Sequence, residues 1–352
     1  MKRRSFLKDA VFLTAAAATA PSVFSCRSDR SSEGKTDFRI SRDFHFRPDG
    51  TFKVLQLTDT HYIAGDPRSD RALRCVEELL DTEQPDFVIH TGDVIFGSPS
   101  GESARIILSP MAERGIPFAV AMGNHDGQFD LDRAALYDVI RSVPGCLNSS
   151  PDKGIHGHSN DLFTLSSDRL ERAFFLFDSG DAVVLRGEEE IHCYDYIRYD
   201  QIGWYRQESE RLRQENGGKP LPALAFFHIP LRETEDGLAA PDRELVGNNG
   251  EPPCPSRLNS GLLAQMREMG DVEAIVNGHD HDCDYVLRYG PMFYVYGRFS
   301  GCDTVYNHLG PSGGRVFEFR KGEPGFRTWV RLVGGEVCQR LSIQDGKMTG
   351  IS

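Results

Sequence analysis

The chain has 352 residues, 39% of them hydrophobic and 26% charged, which is the balance of a globular protein and not of a disordered one. With 40 Lys and Arg against 52 Asp and Glu, its formal net charge is −12. An acidic chain without a basic tail or stripe is a poor coat for nucleic acid or anionic membrane. Its only segment suited to a bilayer is short and N-terminal, which excludes a multispanning transporter.

Residues 1–26 read as an export signal. Lys2, Arg3, Arg4 and Lys8 precede an apolar stretch over residues 10–20, shorter than the ~20 residues a bilayer crossing needs. Arg3-Arg4-Ser5-Phe6-Leu7-Lys8 is similar to a twin-arginine signal, and Val23-Phe24-Ser25-Cys26 is similar to a bacterial lipobox. The expectation is an exported protein of the periplasm or cell envelope, touching the membrane only through a lipid on Cys26. Residues 27–45 read as a polar tether, 46–335 as the domain and 336–352 as a C-terminal tail. Seven further cysteines (Cys75, Cys146, Cys193, Cys254, Cys283, Cys302 and Cys338) form no C-x-x-C pair, so a zinc ribbon or thioredoxin-like motif is absent. Their disulfide pairing stays open.

From Phe52 onward short apolar runs alternate with helical patterns, the mark of an α/β chain. Residues 54–57 read as a buried strand. Residues 69–81 read as a helix with Leu73, Val76 and Leu80 on one face. Further strands are expected at 87–89, 118–121, 174–177, 224–227 and 272–276. Helices are expected at 200–214 and at 260–269, the latter ended by Gly270. Residues 294–296, 316–319 and 328–330 read as a closing meander. Residues 232–259 contain Pro241, Pro252, Pro253 and Pro255 with no periodicity, and read as a long loop that either covers a substrate or is a plain surface excursion.

The chemistry lies at the strand ends. The first strand runs into Asp59-Thr60-His61, the second into Gly92-Asp93 and the third into Gly123-Asn124-His125-Asp126. Later strands run into His228-Ile229-Pro230 and Gly278-His279-Asp280-His281. In open α/β sheets ligands bind at this carboxyl edge, and glycine allows the tight turn that points the next side chain inward. With His125 held aside, the inventory is two carboxylates, one amide oxygen and four imidazoles. Mixed N/O ligands without thiolate suit Zn, Mn, Fe or Ni. Seven ligands exceed one tetrahedral ion and fit two ions that share a carboxylate.

These blocks resemble those of the calcineurin-like metallophosphoesterases, D-x-H, G-D, G-N-H-D/E, H and G-H-x-H. Phe226-Phe227-His228-Ile229-Pro230-Leu231 and Asn259-Ser260-Gly261-Leu262 are similar to the purple-acid-phosphatase-like branch. The resemblance implies an α/β four-layer sandwich, two mixed β-sheets packed face to face and flanked by helices. It implies that Asp59, His61 and His281 hold one divalent or trivalent transition-metal ion, that Asn124, His228 and His279 hold a second, and that Asp93 bridges them. It further implies hydrolysis of a small phosphate ester by attack of a metal-bridging hydroxide, with monoesters ahead of diesters. His125 would stabilise charge or protonate the leaving group, with Asp126 orienting it, and Asp280 and Asp282 could support the ligating histidines. The alternative is a metal-binding receptor or scaffold without turnover. The chain departs from true purple enzymes in having His61 where they have Gly, and Phe96 where they have the iron-binding Tyr. Outside the blocks no residue is promoted. His156, His158 and Asn160 read as an exposed polar loop more readily than as substrate contacts, and turn formation explains Asp178 as well as approach to a metal does. Arg298 is no better placed for phosphate than Arg288, Arg315 or Arg327, and His90 reads as packing.

Overall fold

The computed structural model describes residues 42–186 and 190–351. The expected leader, Cys26 and the tether up to residue 41 lie outside the described residues. Among those described, no helix is long and apolar enough to cross a membrane, and all seven cysteines are free thiols.

The first part of the chain forms β1 (Asp43–His45), β2 (Thr51–Leu57), α1 (Asp70–Glu83), β3 (Phe87–His90), α2 (Ser100–Glu113), β4 (Phe118–Val120) and α3 (Arg133–Ser142). The middle forms β5 (Asp161–Ser166), β6 (Leu170–Leu176), β7 (Ala182–Leu185), β8 (Ile191–Tyr194), α4 (Tyr199–Glu215), β9 (Ala223–Phe226), α5 (Glu233–Ala239) and β10 (Glu244–Val246). The last part forms α6 (Leu262–Met269), β11 (Val272–Asn277), β12 (Val286–Tyr289), β13 (Met292–Tyr296), β14 (Gly313–Arg320), β15 (Phe326–Leu332), β16 (Val337–Gln344) and β17 (Lys347–Gly350).

Fifteen of these strands make two large mixed sheets, one ordered β1-β5-β6-β9-β11-β13-β12-β10 and the other β17-β16-β15-β14-β2-β3-β4. Strand periodicity explains the layering. In β2, Phe52 and Val54 point to one side and join Phe163, Phe174 and Phe226 of the other sheet in a core between the sheets. The out-of-phase residues Leu55 and Leu57 point the other way, onto Val76, Leu79 and Leu80 of α1 and Ile107 and Leu108 of α2. On the opposite flank, Phe175 of β6 and Ile275 of β11 meet Tyr205 and Leu212 of α4 and Met266 of α6. Three apolar layers therefore separate four layers of secondary structure, as the family resemblance implies. Each fully buried Phe, Leu or Val in them contributes roughly 1.5–3 kcal/mol.

The architecture places the site. Strands β2, β3 and β4 are mutually parallel, as are β6, β9, β11 and β13. The segments that follow β2, β3, β4, β9 and β11 consequently emerge together, each sheet delivering its carboxyl ends to one edge.

Three boundaries differ from the sequence reading. Residues 336–352 are not a tail. Strand β16 pairs with β15 and β17 with β16, because Leu341 and Ile343 are apolar at alternate positions and complete the core between the sheets. At the other end β1 pairs with β5, so residues 43–45 belong to the domain and not to the tether. The long loop at 232–259 contains α5 and the strand β10, which pairs with β12. Its order comes from partners 40 or more residues away, outside the reach of local periodicity (Glu244 opposite Arg288). A chain cut after Gly335 should lose both buried aliphatics and the Gln339 side chain that bonds Arg315 and Asp284. Urea unfolding should then show a loss of roughly 3–6 kcal/mol, whereas an unchanged midpoint would mean that these strands are dispensable.

Candidate metal centre

The loops that carry the ligands are bent hard. Asp59, His61, Asp93 and His279 all have positive φ, at 54°, 45°, 53° and 80°. Left-handed backbone is unfavourable for such residues and persists only where the surroundings enforce it. The flanking glycines have a different task, close approach. A Cβ on Gly92 would lie 2.5 Å from Gly123 N and 2.8 Å from His228 Nδ1, and one on Gly278 would overlap the Thr58 hydroxyl and reach Asp59 Oδ2 at 2.7 Å. Only bare backbone lets the two sheets' loops meet this closely.

Two clusters result, Asp59–His61–His281 and Asp93–His228–His279, each with one ligand atom per residue within 4.8 Å of the others. All six are buried. In the first, His61 Nε2 lies 3.0 Å from His281 Nε2 and 3.8 Å from Asp59 Oδ1, and His281 Nε2 lies 3.7 Å from the same oxygen. In the second, His228 Nε2 lies 3.2 Å from Asp93 Oδ2, 3.0 Å from Asn124 Oδ1 and 3.2 Å from His279 Nδ1. Asp93 Oδ2 is also 3.7 Å from His61 Nε2, so one oxygen faces both clusters. Its other oxygen accepts the His125 N–H at 2.8 Å, which fixes the carboxylate's rotation.

Backbone carbonyls orient the rings. His228 Nδ1 donates to Thr91 O at 2.7 Å and His281 Nδ1 to Tyr306 O at 2.9 Å, leaving each Nε2 as a lone pair aimed inward. The outer oxygen of Asp59 accepts from the Thr58 hydroxyl at 2.6 Å and from His279 N–H at 3.1 Å. Acceptors therefore converge on acceptors: carboxylate, amide oxygen and imidazole lone pairs, at spacings of about 3–4 Å. Ligands 2.0–2.2 Å from a common ion stand that far apart. The residues present fit two cations sharing Asp93.

The family profile described as Calcineurin-like phosphoesterase matches residues 52–283, the span that holds every one of these ligands. The chain belongs to the calcineurin-like phosphoesterase family. Its relatives include an Arabidopsis thaliana protein named probable inactive purple acid phosphatase 28, 30% identical over 328 residues that cover 82% of this chain and 80% of the relative. The phosphatase DCR2 of Saccharomyces cerevisiae is 26% identical over 346 residues, covering 85% of this chain and 57% of that protein. Among solved structures, a dimetal phosphatase from Danio rerio shares the fold with a TM-score of 0.53 at 14% identity, covering 83% of this chain and 98% of that one.

Within this calcineurin-like frame the electrostatics suit cation binding. Burial pushes the His61 and His279 rings down, which keeps them neutral, the form that ligates. Burial also works against a charged Asp93, yet the charge and hydrogen bond of His228 outweigh it and hold the carboxyl well below its ordinary range. His228 is raised to about 9, because burial is overcome by Asp93 and Asp59. The proton it would carry sits where a metal would displace it. Phe96, edge-on to His61 at 5.0 Å between ring centres, offers no oxygen to the first cluster.

The structure reassigns several candidates. His125 reaches the centre, with Nε2 4.0 Å from Asp93 Oδ2 and a side chain 31% exposed. Asp126 does not orient it. Its fully buried carboxylate accepts the N–H groups of Val94 and Ile95 at 2.9 and 3.3 Å and of Gly123 at 2.9 Å, clamping the loop after β3 to the loop after β4. The partner of His125 is Gln128, whose Oε1 lies 2.8 Å from Nδ1, and whose amide is itself aligned by donating to Asp181 at 2.9 Å. Asp280 accepts from Tyr296 OH at 2.7 Å and Asp282 from the His308 ring at 2.6 Å, so neither supports a ligating histidine. Asp178 binds Arg133 at 2.6 Å, Arg298 is buried against Asp284 at 2.7 Å, and Asn160 accepts from Gln201 at 2.8 Å; these are structural. His156 and His158 face Asp195 and Asp178 at 3.7 and 3.8 Å, and His90 packs against the Thr60 hydroxyl at 3.0 Å. The roles of Thr58, Thr91 and Tyr306 escaped sequence reading. Thr58 adjoins Asp59 and could have been suspected, but the other two act through carbonyls that leave no trace in residue type.

Asp126 and Gln128 should separate experimentally. Asp126→Ala strands three buried N–H groups and should cost roughly 2–5 kcal/mol of stability in denaturant unfolding. Gln128→Ala should unfold at the parent midpoint while freeing the His125 ring that Gln128 Oε1 holds, read as changed NMR chemical shifts of that ring. Equal unfolding of both variants would contradict the assignment.

Proposed function

We propose that the protein is a two-metal phosphoester hydrolase acting on phosphomonoesters ahead of diesters. The observation that carries this reading is Asp93 Oδ2, faced by His61 and His228 from two complete ligand clusters, with His125 beside it. Transition-metal ions held there would polarise phosphoryl oxygens and lower the pKa of water. The chain's own groups do the rest. Buried Asp59 and Asp93 and their imidazoles fix where a phosphoryl group can lie. His125, with Nδ1 held by Gln128, presents Nε2 toward the same space and in its protonated form can donate to the leaving oxygen. The preference for monoesters rests on the purple acid phosphatase names of the relatives. On the export reading of residues 1–26, this activity belongs in the cell envelope.

The words "probable inactive" in those names favour a second reading, a metal-binding protein without turnover. Assay of the Mn- or Zn-loaded protein on para-nitrophenyl phosphate and its bis-ester decides between them. Hydrolysis of the monoester should predominate. His125→Ala should keep its metal and lose turnover by roughly 10²–10⁴, whereas Asp93→Ala should lose metal and activity together. Full activity in Asp93→Ala, or metal bound with neither ester cleaved by the parent protein, would overturn the proposal.

A further inference from the structure

A phosphate group fills only part of the space beside this centre. Next to His279, and 4.4 Å from it between ring centres, the Tyr194 ring stands edge-on and 37% exposed. The same tyrosine walls a cleft of about 600 Å³ between the β7–β8 hairpin and residues 253–257. A volume of that order suits a whole small organic ligand. Its lining is stiff and flat on one side, with Tyr194, Pro253 and Pro255, and charged elsewhere, with Arg232, Arg257 and one acid, Glu235.

The two cations are not equivalent. Arg232 has Glu235 at 3.3 Å. Arg257 is exposed and makes no ion pair or hydrogen bond with any described residue, in a chain whose net charge is −12. Guanidinium groups pair with carboxylate or phosphate through two parallel hydrogen bonds, and planar apolar groups pack on tyrosine and proline. The cleft is also fixed to the metal centre. Ser256 Oγ donates to Tyr194 O at 2.8 Å, and Cys254 N–H donates at 3.2 Å to Asp280, the residue between His279 and His281.

We propose that this cleft receives the alcohol half of the ester, and that the preferred alcohol is a planar, apolar group carrying its own negative charge, held by Tyr194 and Arg257. The inference rests on the phosphoesterase reading for the meaning of "alcohol half", but its test does not require turnover. Calorimetry on the Mn²⁺-loaded protein would compare methylphosphonate, phenylphosphonate, 4-carboxyphenylphosphonate and 4-(2-carboxyethyl)phenylphosphonate, with bound metal measured for each variant. At least one carboxylated compound should bind about tenfold more tightly than phenylphosphonate, the gain of one charge-assisted contact. Arg257→Ala should bring that ratio to about one, and Tyr194→Ala should shrink the advantage of phenyl over methyl. No gain from either carboxylate, a gain that survives in Arg257→Ala, or no phosphonate binding at all would overturn the proposal. Expected ratios in a protein that cleaves no ester would instead remove the hydrolase reading and leave the subsite standing.

Discussion

A single buried oxygen, Asp93 Oδ2, sets the terms for the rest of the molecule. It lies where two clusters meet, 3.2 Å from one imidazole and 3.7 Å from another, and it is shielded from water. An isolated carboxylate in such a place is costly. Beside it, the Nε2 atoms of His61 and His281 stand 3.0 Å apart, where one proton at most can sit between them. Protons can relieve only part of this, because adjacent imidazoles cannot all be charged in a low dielectric. Cations between the clusters relieve all of it at once. The arrangement makes sense as a site whose stability is linked to metal binding.

That requirement reaches into the fold. Asp59, Asp93 and Asn124 follow strands of one sheet, whereas His228 and His279 follow strands of the other. The clusters thus tie together the ends of two sheets that also meet through an apolar core and through buried hydrogen bonds, from Gln56 Nε2 to Asn277 O and from Arg315 Nε to Tyr296 O, both at 2.9 Å. The price is local strain, four ligands with left-handed backbone, and it is offset by the many hydrogen bonds that overdetermine each loop. Asp126 is the clearest case, a carboxylate spent entirely on holding two loops in register. Thr58 and the Thr91 carbonyl do the same for Asp59 and His228.

Much of this was legible in the residues. Each ligand stands directly after an apolar run, often with glycine before it, so strand, turn and ligand announce one another. The four layers follow from the alternation in β2, where Phe52 and Val54 serve one core and Leu55 and Leu57 another. What escaped was held by distant partners. Helices α2 and α3 went unread, the first because Pro110 interrupts its pattern. The strands β16 and β17 look like a polar tail until Leu341 and Ile343 are seen against the inter-sheet core. Adjacency misled most sharply at Asp126. It neighbours His125 in sequence, yet its carboxylate turns to N–H groups some thirty residues back, while Gln128, three residues on, reaches the ring. Sequence proximity fixes neither the direction of a side chain nor its partner.

The central claim is that the two clusters bind a pair of ions through the one oxygen of Asp93. Electron paramagnetic resonance of the protein titrated with Mn²⁺ tests it most directly, since ions roughly 3.5–4 Å apart and joined by a carboxylate oxygen are magnetically coupled. The account predicts two Mn²⁺ bound per chain and the multiline signal of a coupled pair. Saturation at one ion per chain, or two ions giving only the six-line spectrum of isolated Mn²⁺, would contradict it.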